Sequence, residues 1–245
     1  MFSKLKNLFL GAVLLHILWL AGTYLVDDRL IPSPITVYAR MDGAFWLSMM
    51  PHIGNSLWRL VFAMVISLVV GLVLGLAAAQ SKVIGAFLSP LVYFTYPIPK
   101  MAFLPLVLVL FGLGNPTIVT MIVLIISFQI VVNVRDGINA IPAENYQVLA
   151  VLGANRWQLF KNVTLPAALG QILSAARVAL GTATAILFIT ETTGTRYGLG
   201  FYIMNASTVF NYINMFAGIV VLSALSLLLF LVIDALGTVL LRWNK

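Results

Sequence analysis

Long apolar runs dominate the chain, and short polar breaks separate them. Windows long enough to cross a hydrocarbon core of about 30 Å as helix fall at roughly 8–26, 53–80, 84–111, 117–134, 167–190 and 215–241. Inside a bilayer no water is available to the backbone, so each run must close its own hydrogen bonds and is read as helix. The pattern predicts an all-α integral membrane protein with about six transmembrane helices. No internal repeat or low-complexity segment interrupts it, so residues 1–245 are read as one transmembrane domain. The opening "MFSKLKNLFLGAVLLHILWLAG" has the basic start of a cleaved leader. Its apolar run is long enough to span and no clean small-x-small cleavage site follows, so a retained first helix is expected.

Two runs carry further information. The third, "LSPLVYFTYPIPKMAFLPLVLVLFGLG", contains Pro90, Pro97, Pro99 and Pro105. Each removes a backbone donor and crowds the carbonyl four residues earlier. Backbone freed at membrane depth must be buried in protein or line a wet cavity. Lys100 stands among these prolines, where a lipid-facing charge would be costly. Either this run faces the bundle interior or a pathway, or it kinks at the interface and Lys100 snorkels to water. The second run places Gly71, Gly75 and Ala79 at i, i+4 and i+8, a spacing that lets two helix backbones approach closely.

Composition then narrows the class. Hydrophobic residues make up 62% of the chain and charged residues 9%, with a mean hydropathy of +1.06. A soluble domain carries far more surface charge. There is no cysteine, which excludes disulfides and thiolate metal sites. His16 and His52 have no ligand partner at metal-binding spacing, so no metal site is expected. The net charge of +7 is scattered over loops without a basic run, which argues against a nucleic-acid partner. Its placement sets orientation instead. With the N-terminus inside, inner loops carry Lys4, Lys6, Lys82, Arg135, Arg156, Lys161, Arg242 and Lys245. Outer loops carry Arg29, Arg40 and Arg196, interspersed with Asp27, Asp28, Asp42 and Glu191. Both termini are therefore expected in the cytoplasm.

Segment 141–166, "IPAENYQVLAVLGANRWQLFKNVTLP", is too polar to span and too apolar to be a solvated loop. Pro142 can open a helix. Tyr146, Leu149, Ala150, Leu152 and Gly153 recur on one apolar face, and at Gly153 the backbone can turn or another chain can come close. A second helical stretch, "RWQLFKNV", leads into Leu165-Pro166 and the fifth span. Two short helices at an angle would make a knob for the groove of a soluble partner, or an amphipathic segment lying on anionic lipid.

Here the sequence resembles a known family. Gly153, nine residues, Val163, one residue and Leu165-Pro166 are similar to the cytoplasmic signature of permease subunits of ATP-binding-cassette (ABC) importers, Glu-Ala-Ala, three residues, Gly, nine residues, Ile-x-Leu-Pro. The blocks "LIPSPITVY", "NSLWRLVFAMVISLVVGLVLGL", "PIPKMAFLPLVLVLFGLG", "LGANRWQLFKNVTLPAAL" and "ITETTGTRYGLGFYI" resemble the nitrate/sulfonate/taurine branch, from about residue 30 to the C-terminus. One departure stands out. The family's Glu falls on Gln147 and its two Ala on Val148 and Leu149; Glu144, one turn earlier, is a candidate replacement for the lost charge.

The resemblance implies a type I ABC importer permease fold in the bacterial inner membrane. It implies a second permease subunit, expected as a homodimer, a cytoplasmic ABC ATPase dimer beneath and an extracytoplasmic solute-binding protein outside. The chain has no phosphate loop. No catalysis or cofactor is expected on it, ATP and Mg belonging to the ATPase partner. Energy would enter through Glu144, Gln147, Leu152, Gly153, Ala154, Arg156, Trp157, Lys161, Leu165 and Pro166. Candidates for the translocation path are Tyr93, Tyr96, Lys100, Thr182, Thr184, Thr190 and Glu191. Against that, the hydroxyls can bond their own backbone, and Glu191 can cap or pair with the following segment through Arg196. Gly194, Gly198 and Gly200 would let that segment fold back into the outer mouth. Arg59 and Arg177 read as snorkelling residues, and Asp234 as an interfacial or inter-helix contact. The implied cargo is a small solute: a sulfonate, taurine, nitrate or bicarbonate, or a vitamin precursor. A secondary transporter is the competing class, but intramembrane acids and an internal repeat are missing. An intramembrane enzyme would need a nucleophile–base or metal constellation that the sequence does not supply.

Overall fold

A computed structural model of the chain describes residues 2–95 and 97–241, with side chains at residue 6 and from residue 9 onward. Tyr96, Arg242, Lys245 and the side chain of Lys4 lie outside the described residues. Every regular element among those described is helical. In order they are α1 (Phe2–Leu25), α2 (Pro34–Arg40), α3 (Gly43–Gln80), α4 (Lys82–Thr95), a 3-10 turn (Lys100–Phe103), α5 (Leu104–Phe111) and α6 (Asn115–Asn139). There follow α7 (Ala143–Val151), α8 (Arg156–Leu159), a π turn (Phe160–Thr164), α9 (Leu165–Gly194), α10 (Leu199–Thr208) and α11 (Tyr212–Leu240).

Among the described residues, four helical stretches are long and apolar enough to cross a membrane: Gly43–Gln80, Asn115–Asn139, Arg156–Gly194 and Tyr212–Leu240. The first apolar run is helical throughout α1, its described apolar part being Phe9–Leu25. The third run does not form one rod over 84–111. It breaks into α4 and Lys100–Phe111, bent by 85°. Pro97 and Pro99 supply the cause, since proline lacks a donor and pushes the preceding residue out of the helical region. The 14 residues of α4 rise about 21 Å, short of a full crossing.

The fifth span also differs from expectation. Leu165-Pro166 does not begin it, because helix runs unbroken from Arg156 to Gly194. The ring of Pro166 would collide with the carbonyl of Asn162, four residues back. The π turn over Phe160–Thr164 widens the spiral at that place. Helix thereby continues through the proline.

The chain forms two compact units. One comprises residues 57–195 and 225–245, and its core is the pair α6 and α9. Ile118, Ile122, Ile126, Ile130 and Val134 recur every fourth residue on α6 and are fully buried. Facing them, α9 offers Ala168, Ala176, Ala179 and Ala183, small enough to let the helix axes close up. Gly71 and Gly75 of α3 receive Ile130 and Val134: a Cβ built on Gly75 would sit 2.8 Å from Val134 Cβ. The small-residue spacing thus serves packing within the chain.

The other unit comprises residues 1–56 and 196–224. Aromatic contacts hold it. Trp19 stacks on Phe216 at 5.6 Å and donates to the Pro32 carbonyl at 3.0 Å. His16 Nε2 lies 2.6 Å from the Tyr38 hydroxyl, and Phe45 meets Tyr202 edge-on. His52 and Ser56 of α3 meet the start of α10, where the Leu199 amide donates to Ser56 Oγ at 2.8 Å.

Candidate functional site: an exposed elbow and a buried ion pair

The segment singled out in the sequence forms an elbow. Pro142, in extended conformation, opens α7, and Glu144 occupies its first turn, where a negative charge favours the helix dipole. The helix stops because Gly153 adopts φ +80°. The Gly153 amide donates to the Ala150 carbonyl at 3.0 Å and the Ala154 amide to Leu149 at 3.1 Å, the paired bonds of a Schellman stop. Nothing lies within 4 Å of a Cβ built on Gly153. Glycine is required there for its backbone angle, not for space.

The next helix begins at once. The Gln158 amide donates to Asn155 Oδ1 at 2.9 Å, and the Asn155 amide donates to Gln158 Oε1 at 2.8 Å. This reciprocal box satisfies two donors that a helix start leaves open. Six residues, Gly153 to Gln158, therefore stop one helix and start another. The Tyr146 hydroxyl lies 3.1 Å from Thr164 Oγ1 and ties α7 to the entry of α9.

The apolar face expected on this segment divides. Tyr146, Leu149 and Ala154 are half-buried against the elbow itself, while Ala150 and Leu152 are exposed. The exposed apolar set is Val148, Val151, Leu152 and Trp157, with Leu152 at 77% and Val151 at 87% exposure. Glu144, Gln147, Arg156 and Lys161 are exposed around it, and Leu165 and Pro166 are half-buried. Glu144, Gln147 and Val151 share one face of α7 by spacing.

Among the described residues, the candidate path residues are distributed over α4, the 3-10 turn and α9. Tyr93 of α4 is 77% exposed and meets Phe94 edge-on. Lys100 is half-buried; its Nζ donates to the Thr95 carbonyl at 3.0 Å and lies 5.4 Å from the centre of the Phe128 ring. On α9, Thr182 donates to Val178 at 3.4 Å, and Thr184 to Leu180 at 2.9 Å while meeting Ser226 at 3.1 Å. Thr190 is buried and bonds the carbonyls of Ile186 and Leu187 on its own helix.

Glu191 has a partner other than Arg196, which is exposed. Its carboxylate accepts from Arg59 Nη1 at 2.7 Å, with side-chain exposures of 0% and 3%. Arg59 does not snorkel. Its Nε donates to Asn115 Oδ1 at 2.8 Å and its Nη2 to Thr195 Oγ1 at 3.1 Å. One planar guanidinium thereby ties α3, the start of α6 and the end of α9. The sequence reading missed Arg59, Asn115 and Thr195 as a set. Its one available signal was a lone Arg inside a long apolar run and a lone Glu inside another. Arg177 and Asp234 also form an ion pair, between α9 and α11, so Asp234 makes an inter-helix contact and Arg177 has a partner on the neighbouring helix. No group of three His, Cys, Asp or Glu suited to a metal occurs among the described residues.

Comparison with known proteins places this architecture. The chain is 29% identical to the taurine transport system permease protein TauC of Escherichia coli over 99% of its own length and 91% of that protein. It is 28% identical to the putative aliphatic sulfonates transport permease protein SsuC of Bacillus subtilis, covering 100% of this chain and 89% of the relative. It is 32% identical to the riboflavin transport system permease protein RibX of Chloroflexus aurantiacus, covering 95% and 88%. Among solved structures, the MetNI methionine ABC transporter in an inward-facing conformation superposes with a TM-score of 0.71 at 20% identity, covering 82% of this chain and 99% of that one. A bacterial ABC transporter involved in import of the acidic polysaccharide alginate gives 0.67 at 16% identity over 96% and 94%. These two likenesses establish the helical fold as that of ABC importer permeases. Residues 67–245 match the family model of the binding-protein-dependent transport system inner membrane component, and the chain belongs to that family.

Proposed function

We propose that this chain forms the membrane path of an ATP-driven importer and receives its driving motion through the elbow at 141–166. The observation that carries this reading is the elbow's construction. A backbone stop at Gly153 and a capped restart at Asn155 hold an exposed apolar set beside Arg156 and Lys161. Exposed apolar side chains ringed by charge suit the groove of a soluble partner. That partner is a cytoplasmic ATPase dimer, which alone holds ATP and Mg. ATP closing the dimer would draw two elbows together and bias a bistable assembly toward its outward-facing state.

The permease pair is a homodimer, the simplest closed arrangement. It lies in the bacterial inner membrane with both termini in the cytoplasm, as the loop lysines and arginines favour. An extracytoplasmic binding protein delivers the solute. The relatives' names point to an aliphatic sulfonate, taurine, bicarbonate or riboflavin as cargo. Lys100 and the scarcity of deep acids favour an anion or zwitterion.

Gly153→Val tests the reading. A β-branched residue cannot hold φ +80° without strain, so uptake should be lost and ATPase activity should uncouple from transport. Normal uptake by a correctly inserted variant would remove the elbow from the mechanism.

A further inference from the structure

In the unit formed by residues 57–195 and 225–245, a cleft of about 1150 Å³ is lined by α4, α6 and the end of α3. Its two ends differ in chemistry. At one end stand Lys82, Ser89, Arg135, Asp136 and Asn139. Toward the other, the walls are Val92, Tyr93, Phe94, Pro97 and Val132. Lys82 is the first residue of α4 and Pro97 follows 15 positions later, so the gradient runs along the helix.

The charges at the polar end do not cancel. Arg135 pairs with Asp136 at 2.8 Å and donates to Ser89 Oγ at 3.2 Å. Lys82 is exposed and forms no ion pair among the described residues. One net positive charge therefore stands at the mouth, beside the amide of Asn139 and the Ser89 hydroxyl. Lys82 opens α4 and Arg135 stands in the last turns of α6, helix ends that the distribution of basic residues assigns to the same membrane face, so the polar end lies at headgroup level. A wet path for a small polar solute would carry polar groups along its length. Here the charged groups occupy the half from Lys82 to Ser89, and beyond it the walls are aromatic and aliphatic, with the Tyr93 hydroxyl as a polar group. Basic pockets between transmembrane helices recognise anionic headgroups, and apolar walls below suit an acyl chain.

We propose that this cleft holds an anionic phospholipid, its phosphate on Lys82 with Asn139 and Ser89 as neutral donors, and an acyl chain along Val92, Tyr93 and Phe94. Asp136, neutralised by Arg135, sets the preference for a singly charged headgroup. The site is independent of the elbow's role, so either can fail alone.

The test uses the full chain, purified with the subunits that accompany it and reconstituted in vesicles of phosphatidylcholine alone or mixed equally with phosphatidylglycerol. Native mass spectrometry after detergent extraction should find phosphatidylglycerol retained and phosphatidylcholine not. Lys82→Ala should lower retention roughly fivefold, the weight of one cation at an anionic surface. Lys82→Glu should lower it further, and Lys82→Arg should restore it. Ala86→Trp, which fills the cleft without changing charge, should also displace the lipid, while Lys6→Ala should not. Retention unchanged by Lys82→Glu would overturn the proposal. So would displacement of the lipid by millimolar inorganic phosphate, which would mark a small-anion site. Disulfide capture of a second copy of the chain through Ala86→Cys, with no lipid retained, would make the face a subunit interface instead.

Discussion

The elbow and the Arg59–Glu191 pair lie in one compact unit, yet they are built on opposite principles. The elbow is local. Its stop, its cap and its exposed side chains all come from a stretch of about 15 residues, and the hydrogen bonds that make the stop and the cap join near neighbours in sequence. The ion pair is remote. Arg59 and Glu191 are 132 positions apart, and their meeting depends on α3, α6 and α9 all being in place. A local device can be altered without unfolding its surroundings, whereas a remote one is inseparable from them.

Breaking the remote device should produce the largest effect. Removing one partner leaves a buried charge uncompensated, at a cost of about 3–5 kcal/mol. Arg59→Ala and Glu191→Ala should each lower the thermal unfolding midpoint in detergent markedly, read by fluorescence-detected size exclusion. The double variant Arg59→Met with Glu191→Leu should recover most of the loss, because well-packed apolar replacements of a buried pair are often neutral. A double variant as unstable as the singles would mean that Asn115 and Thr195 carry more of the network than the pair does.

Gly153→Val should separate function from stability. Uptake should vanish, while the unfolding midpoint shifts by no more than the local strain of about 1–2 kcal/mol. Gly153→Asn, which tolerates the left-handed region, should keep part of the transport. Equal loss in both variants would implicate space, in conflict with the open surroundings of that position. Asn155→Ala removes one cap and should cost about 1 kcal/mol, seen as increased amide exchange in α8 with uptake reduced but present. The smallest effect belongs to Gln147→Glu, which restores the acid of the family signature on an exposed face. Transport should be unchanged or improved, with ATPase association retained. Loss of that association would displace the assignment of this position.

What could be read from the sequence follows the same division. Gly153 announces its turn because the bonds around it reach only a few residues; the box of Asn155 and Gln158 is equally local, but the sequence reading passed it over. The glycine spacing on α3 likewise foretold close packing, now seen against Ile130 and Val134. The break in the third run was foreshadowed by its prolines, though its 85° angle was not. Leu165-Pro166 misled, because proline after a polar stretch reads as a helix start; only the π turn reveals why the helix continues through it. The partner of Glu191 was invisible. Two lone charges in separate apolar runs imply pairing, but their depth and direction are set by tertiary packing, and Arg196 was nearer in sequence.

The uninterrupted helix from Arg156 to Gly194 contains 39 residues and so extends about 58 Å. It carries the π turn over Phe160–Thr164 near one end and Glu191 near the other. In the proposed mechanism, motion received near Trp157 would travel along this helix to Glu191, and the clasp of Arg59 would pass it to α3 and α6.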